Sequence, residues 1–149
     1  MGIVINHPTK LTADDVFKQL NMDSLSTAHK DPILAGGPVQ TERGFVLHSS
    51  GSKRWKTTQA ISSDIYLTTS QDILDDMAQD QGPEHSLIAL GYAGWGAGQL
   101  EEEIADNAWL TLPAETDILF KTPIEHRASL AAAKLGIDLA LIAPDAGHA

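Results

Sequence analysis

Apolar positions fall along the chain in short clusters divided by turn residues, and their spacing alternates between strand-like and helix-like. Ile3-Val4-Ile5 is an apolar run that stops at Asn6-His7-Pro8 and predicts a buried strand. Thr12-Ala13-Asp14-Asp15 supplies an N-cap and first-turn carboxylates, and Val16, Phe17 and Leu20 follow at helical spacing, so a helix is expected there. Residues 21–31 are polar and loop-like. Ile33-Leu34-Ala35 reads as a strand ending at the turn Gly36-Gly37-Pro38, and residues 44–48 read as a second strand closed by Ser49-Ser50-Gly51-Ser52. Residues 65–68 form a third, running into Thr69-Ser70-Gln71-Asp72, whose hydroxyls are expected to cap a helix carrying Ile73, Leu74 and Met77. Gly82-Pro83 stops that helix.

The second half is punctuated by glycine. Leu87-Ile88-Ala89-Leu90 is an apolar strand, and Gly91-Tyr92-Ala93-Gly94-Trp95-Gly96-Ala97-Gly98 follows it with four glycines around one tryptophan. Glycine is costly in backbone entropy, so this density implies positive φ or close approach of another group. A helix is expected from Gln99 to about residue 106, and Ala108-Trp109-Leu110-Thr111-Leu112 alternates like a strand up to Pro113. Thr122-Pro123-Ile124-Glu125 offers N-cap, N1 proline and capping-box glutamate to a last helix, with Gly136 just past its end. A short helical segment from Asp138 and the tail Ala146-Gly147-His148-Ala149 complete the chain. Strands and helices without strict alternation argue for an α+β or irregular α/β layer. The two runs within 33–48, joined by a turn, predict a neighbouring strand pair and hence an antiparallel or mixed sheet.

Length sets the scale of this picture: 149 residues suit one domain with a real core. No apolar run approaches a membrane span, and the N-terminus has neither a basic n-region nor a cleavage site of signal-peptide type. The absence of cysteine excludes disulfides, thiol nucleophiles and thiolate metal sites, and cytoplasmic residence is expected. Ten basic residues against twenty acidic ones leave a net charge of -10. Phosphate neutralisation dominates nucleic-acid affinity, so this charge argues against direct DNA or RNA binding. Lys53-Arg54-Trp55-Lys56, the densest basic cluster, reads as a solvated loop.

Strand, glycine loop and helix together resemble a phosphate cradle, but the details differ. Gly94, Gly96 and Gly98 lack the third glycine of G-x-G-x-x-G, and Gln99-Leu100 stands where a P-loop needs Lys-Ser/Thr. Glu101, Glu102 and Glu103 already complement the helix dipole and would repel a phosphate. The glycines are better read as a tight turn with Trp95 anchoring it in the core or at a subunit interface. The histidines His7, His29, His48, His85, His126 and His148 show no metal-ligand spacing, and neither metal nor cofactor is expected. His48 at a strand end reads as a satisfied histidine, and Ser70 as a cap. A Ser70/His48 hydrolase lacking the G-x-S-x-G elbow is the competing enzyme reading. Arg43 is expected to pair with a carboxylate within the domain, the alternative being an acidic ligand. If there is a functional surface, it is expected near Gly94, Trp95 and Gln99, with Arg43, His48 and Ser70 as further candidates, for an unknown protein or small-molecule partner.

Several of these blocks occur in one order: Met1-Gly2-Ile3-Val4-Ile5-Asn6-His7-Pro8, Gly36-Gly37-Pro38-Val39, Arg43-Gly44-Phe45-Val46-Leu47-His48, Thr68-Thr69-Ser70-Gln71-Asp72-Ile73-Leu74, Leu90 to Trp95 with Gln99-Leu100-Glu101, Asn107-Ala108-Trp109-Leu110, and the terminal Ala-Gly-His-Ala. In this combination the chain resembles the YqgE/AlgH family of bacterial proteins along its whole length. The resemblance implies an α+β fold whose mixed, bifurcated sheet curls into a pseudo-barrel with flanking helices. It brings a transcriptional-regulator label but no catalytic residues, and with so acidic a chain and no basic recognition helix, any regulation is expected to be indirect. Family members carry a further segment ahead of the opening block, so 1–149 resembles a single domain lacking its N-terminal portion. Unpaired strand edges would then favour a homo-oligomer.

Overall fold

A computed structural model describes residues 1–24 and 30–141. His29, His148 and the Ala146–Ala149 tail lie outside the described residues. Six strands, β1 (Pro8–Thr12), β2 (Pro32–Ala35), β3 (Val39–Ser49), β4 (Gln59–Ala60), β5 (Ile65–Thr68) and β6 (Ser86–Tyr92), form one sheet in the order β1-β2-β6-β3-β5-β4. The β2–β6 pair is parallel and the other pairs are antiparallel. The α+β class and the mixed sheet match the expectation. The sheet is open, with β1 and β4 at its edges, rather than closed into a barrel.

Period-two alternation divides the apolar side chains between the faces. Ile33, Val46 and Ile88 point into one core with Ala13 and Phe17 of α1 (Ala13–Gln19) and Ile73, Met77 and Ala78 of α2 (Asp72–Ala78). Leu34, Leu87 and Ala89, their immediate neighbours, point to the opposite core, where Ile3, Ile5, Leu47, Phe120 and Ile124 pack. A π-helical turn at Asp117–Lys121 and α4 (Ile124–Lys134) deliver Phe120 and Ile124 to that second face. The cap predicted for α1 is present in full. Asp15 N–H donates to Thr12 Oγ1, and Thr12 N–H donates to the Asp15 carboxylate at 2.8 Å.

Three local expectations are corrected. β2 and β3 are not neighbours, because β6 lies between them; the Gly36-Gly37-Pro38 link crosses the end of β6 instead of closing a hairpin. Its glycines are required by that crossing. A Cβ on Gly36 would lie 2.4 Å from the Gly91 carbonyl oxygen, and one on Gly37 would lie 2.1 Å from the Tyr92 carbonyl carbon. Residues 3–5 run extended beside this crossing without joining a ladder, tied through Gly2–Ala93 and through Val4 N–H to Gly36 O at 2.8 Å; the edge strand begins only at Pro8. Residues 108–112 form no strand, and Trp109 and Leu110 stay exposed. Two caps also differ. Gln71 and Pro123 occupy the N-cap positions of α2 and α4 without side-chain capping bonds, and Thr122 Oγ1 donates to Asp117 O instead.

Candidate functional site

The glycine loop leads from β6 into α3 (Gln99–Ala105) through Gly98, whose φ of +77° is left-handed. The loop binds itself: Gly96 N–H donates to Gln99 Oε1 at 3.0 Å, and Gln99 Nε2 donates to Glu103 Oε1 at 3.0 Å. Glu103 also gathers two indoles. Trp95 Nε1 and Trp109 Nε1 both donate to its Oε2, at 3.0 and 2.8 Å, and the rings meet edge to face with centroids 5.9 Å apart. Donation from Trp109 foremost, then Gln99 and Trp95, holds the Glu103 carboxyl below the usual range against the opposing effect of burial. Trp95 is half-buried, a rim residue rather than a core anchor, and its ring lies against Gly2.

Below these rings lies a cleft of about 830 Å³, floored by residues 2–7 and walled by Trp95, Trp109, Ile118 and α4. Helical spacing turns Ile124, Arg127, Ala128 and Ala131 to the inner side of α4. Arg127 is only 9% exposed. Its Nε donates to Thr122 O at 3.2 Å and its Nη1 to Ile5 O, so it ties the N-terminal segment to the start of α4. Burial lowers its pKa, and the charge of Asp31 partly opposes that shift. Sequence reasoning passed over Arg127, Trp109 and the gathering role of Glu103. For Arg127 the available sign was one cation on an otherwise apolar helix stripe.

The remaining candidates lie apart from this cleft. His48 is fully buried between Trp55 and Tyr66, with edge-to-face ring centroids at 5.3 and 5.9 Å. Its ring nitrogens face Ser49 O at 3.1 Å and Thr68 Oγ1 at 2.8 Å. A neutral ring satisfies both: Nδ1–H donates to the carbonyl, and Nε2 accepts from Thr68, which accepts from the Thr58 hydroxyl 2.7 Å away. Burial pushes the imidazole below its ordinary pKa; the hydrogen bond to Ser49 O opposes this and the Arg54 charge adds to it. Ser70 is not hydrogen-bonded to His48. Its Oγ donates to Asp72 Oδ1 at 2.5 Å and accepts from Thr57 N–H at 3.2 Å. Burial raises the Asp72 carboxyl, but bonds from Ser70 and from the backbone N–H groups of Lys56, Ile73 and Asp72 together lower it more, and the net shift is downward. Arg43 Nη1 reaches Gln40 Oε1 at 3.4 Å and its guanidinium sits 5.4 Å over the Phe45 ring, with no ion pair to a carboxylate among the described residues.

The basic cluster is largely consumed within the fold. Lys53 pairs with Asp76 at 2.6 Å, and Arg54 lies 4.1 Å over the Tyr66 ring while donating to its hydroxyl. Among the described residues no group of three His, Asp or Glu is placed to hold a metal ion, and no helix is long and apolar enough to cross a membrane. The structure therefore brings Gly94, Trp95 and Gln99 together, and leaves Arg43, His48 and Ser70 on other parts of the sheet.

Known proteins match this chain over its full length. A UPF0301 protein of Thioalkalivibrio sulfidiphilus is 56% identical over 149 residues, covering 100% of this chain and 80% of the relative. The UPF0301 protein AlgH of Pseudomonas aeruginosa is 53% identical over 152 residues, covering 100% and 79%. The solution structure of that AlgH superimposes with a TM-score of 0.76, again over 100% of this chain and 79% of the other. A crystal structure of a Corynebacterium diphtheriae protein, 12% identical, shares the fold with a TM-score of 0.64 over 87% of this chain and 69% of its own. The family model described as AlgH-like, DUF179, matches residues 1–140, and the chain belongs to that AlgH-like family.

Proposed function

We propose that this protein is a non-catalytic binding module whose ligand or partner enters the cleft beneath Trp95 and Trp109. The carrying observation is the pair of indoles fixed by one carboxylate at the mouth of an apolar cleft. Trp109 is 41% exposed and Leu110 62%, and apolar side chains held outward at a concave site are typical of surfaces that meet something else. The hydrogen bonds that position the rings are made before any partner arrives, which lowers the ordering cost of association. A regulatory role runs through that partner rather than through DNA, since the protein carries a net charge of -10 and Lys53 and Arg54 of its basic cluster are engaged internally. Cytoplasmic residence fits a chain without cysteine.

Nile red, a neutral apolar probe, tests the reading. Its emission should rise with the wild-type protein, and Trp95→Ala should abolish that rise while the circular dichroism stays native. Ala131→Phe, which narrows the cleft from α4, should do the same without touching the indoles. Unchanged dye emission with Ala131→Phe would refute the cleft as the binding site.

A further inference from the structure

The lining of the cleft is electrostatically unlike the rest of the molecule. The chain has twenty acidic side chains, yet none lines the cleft, Glu103 staying behind the indoles at its mouth; Arg127 is the one Lys or Arg of the lining. The second cavity reached by Arg127, of about 550 Å³, is lined by both Asp31 and Glu125, so the contrast is specific to the first. A guanidinium has five N–H donors, and the protein takes two of them, through Thr122 O and Ile5 O. Among the described residues, none of the ion pairs involves Arg127. Arg127 is only 9% exposed, yet its remaining donors are not sealed off: they have no acceptor among the described residues and stay open to solvent, available to a bound anion. Most of the walls are carbon, from Ile3, Ile5, Ile118, Ala131 and the face of Trp95, with Asn6 and His7 adding polar groups at the floor.

Deepening the binding-module reading, on which this step rests, we propose that the cleft takes a small apolar carboxylic acid, its carboxylate on Arg127 and its hydrocarbon body along the Ile3–Ile5 floor. A carboxylate matches the planar guanidinium fork. A single cation inside a body of net charge -10 favours a monoanion over a phosphate dianion. The volume is in the range that accommodates a small organic ligand rather than a macromolecule.

Octanoate, 1-octanol and octylammonium, identical in chain length but differing in head group, distinguish the outcomes. The readout is the indole N–H resonances of the full chain. Trp95 and Trp109 border the cleft, whereas Trp55 sits in the opposite core and serves as internal control. Octanoate should shift the Trp95 and Trp109 resonances but not that of Trp55, and should bind at least tenfold tighter than octanol, with octylammonium weakest. Arg127→Gln should bring octanoate down to the octanol affinity. Because Arg127 also holds Ile5 O, Ala131→Phe provides a second variant that leaves this tie intact and should remove binding of both. Octanol binding as tightly as octanoate would overturn the carboxylate assignment and leave the cleft as a binding site. Tightest binding by octylammonium, or no shift with any of the three, would overturn it as well. The Nile red result then decides separately whether the cleft binds at all.

Discussion

Replacing Thr68 with valine removes one buried hydroxyl and changes little else, so it isolates the network that holds His48. Both residues have zero exposure, and Thr68 Oγ1 lies 2.8 Å from His48 Nε2 and 2.7 Å from Thr58 Oγ1. In Thr68→Val the Nε2 acceptor stays buried and loses its only donor, a penalty of about 1–3 kcal/mol. The Thr58 hydroxyl loses its acceptor in this variant, but Thr58 is only half-buried and can donate to water, so the penalty at that end is smaller. We therefore expect a loss of about 2 kcal/mol, equivalent to a Tm lower by roughly 4–8 °C for a domain of this size. Urea unfolding followed by tryptophan emission measures it, with Trp55 reporting from 5.3 Å away. His48→Phe removes the other partner and supplies the control. When both polar groups are gone the penalty disappears, so the double variant should be more stable than the sum of the single losses predicts, by about 1 kcal/mol or more. A Thr68→Val loss below about 0.5 kcal/mol, or strictly additive effects, would refute the network.

Acid should weaken the fold through the same residue. Burial lowers the His48 pKa beneath the ordinary 6.5, so the unfolded chain takes up the proton first. The contribution is complete above 6.5 and is lost as pH falls below it, at up to about 1.4 kcal/mol per pH unit until the folded value is reached. A stability profile of His48→Phe that keeps the same slope there would assign the effect elsewhere. Gly36→Ala should cost more than about 3 kcal/mol or prevent folding, because its Cβ meets a backbone oxygen at 2.4 Å. Gly98→Ala, with open space around it and φ of +77°, should cost about 1–2 kcal/mol. Equal losses in the two variants, by chemical denaturation, would contradict the crossing described at Gly36. Phe17→Ala, at 1% exposure in the core under α1, should cost about 3–5 kcal/mol in the same assay, and a loss under 1 kcal/mol would show that the site collapses freely.

Local order was written plainly in the chain. The Thr12/Asp15 box, the buried Phe17, the β5–α2 junction and the left-handed Gly136 beyond α4 all follow from neighbouring residues alone. What was hidden depends on residues far apart. Alternation shows that residues 33–35 and 44–48 are strands but carries nothing about which strand lies beside which, so the insertion of β6 between them was invisible. Residues 108–112 alternate as a strand would, yet Trp109 is held outward by Glu103, and a side-chain bond decides its place instead of a ladder. At the site, the glycine loop drew attention to Trp95 and Gln99 because glycine density is a local property. Arg127 showed locally only as one cation on an apolar helix stripe; its role was hidden because the Ile5 carbonyl it holds lies 122 positions away.

The insertion of β6 also sets a problem of timing during synthesis. β2 and β3 leave the ribosome with their mutual edges unpaired, and β6, the strand that separates them, begins only at Ser86, well after β3 ends at Ser49. At typical elongation speeds that interval lasts several seconds, far longer than the microseconds a hairpin needs to form. A direct β2–β3 pairing is thus the first trap open to the nascent chain. Crowding at Gly36 and Gly37 arises only once the end of β6 has arrived. Stalled nascent chains that have released Ser49 but not Ser86 should expose these edges to deuterium and to holdase chaperones, and chains long enough to release Tyr92 should protect them. Protection already present in the shorter chains would mean that the trap forms, and that the native sheet has to displace it.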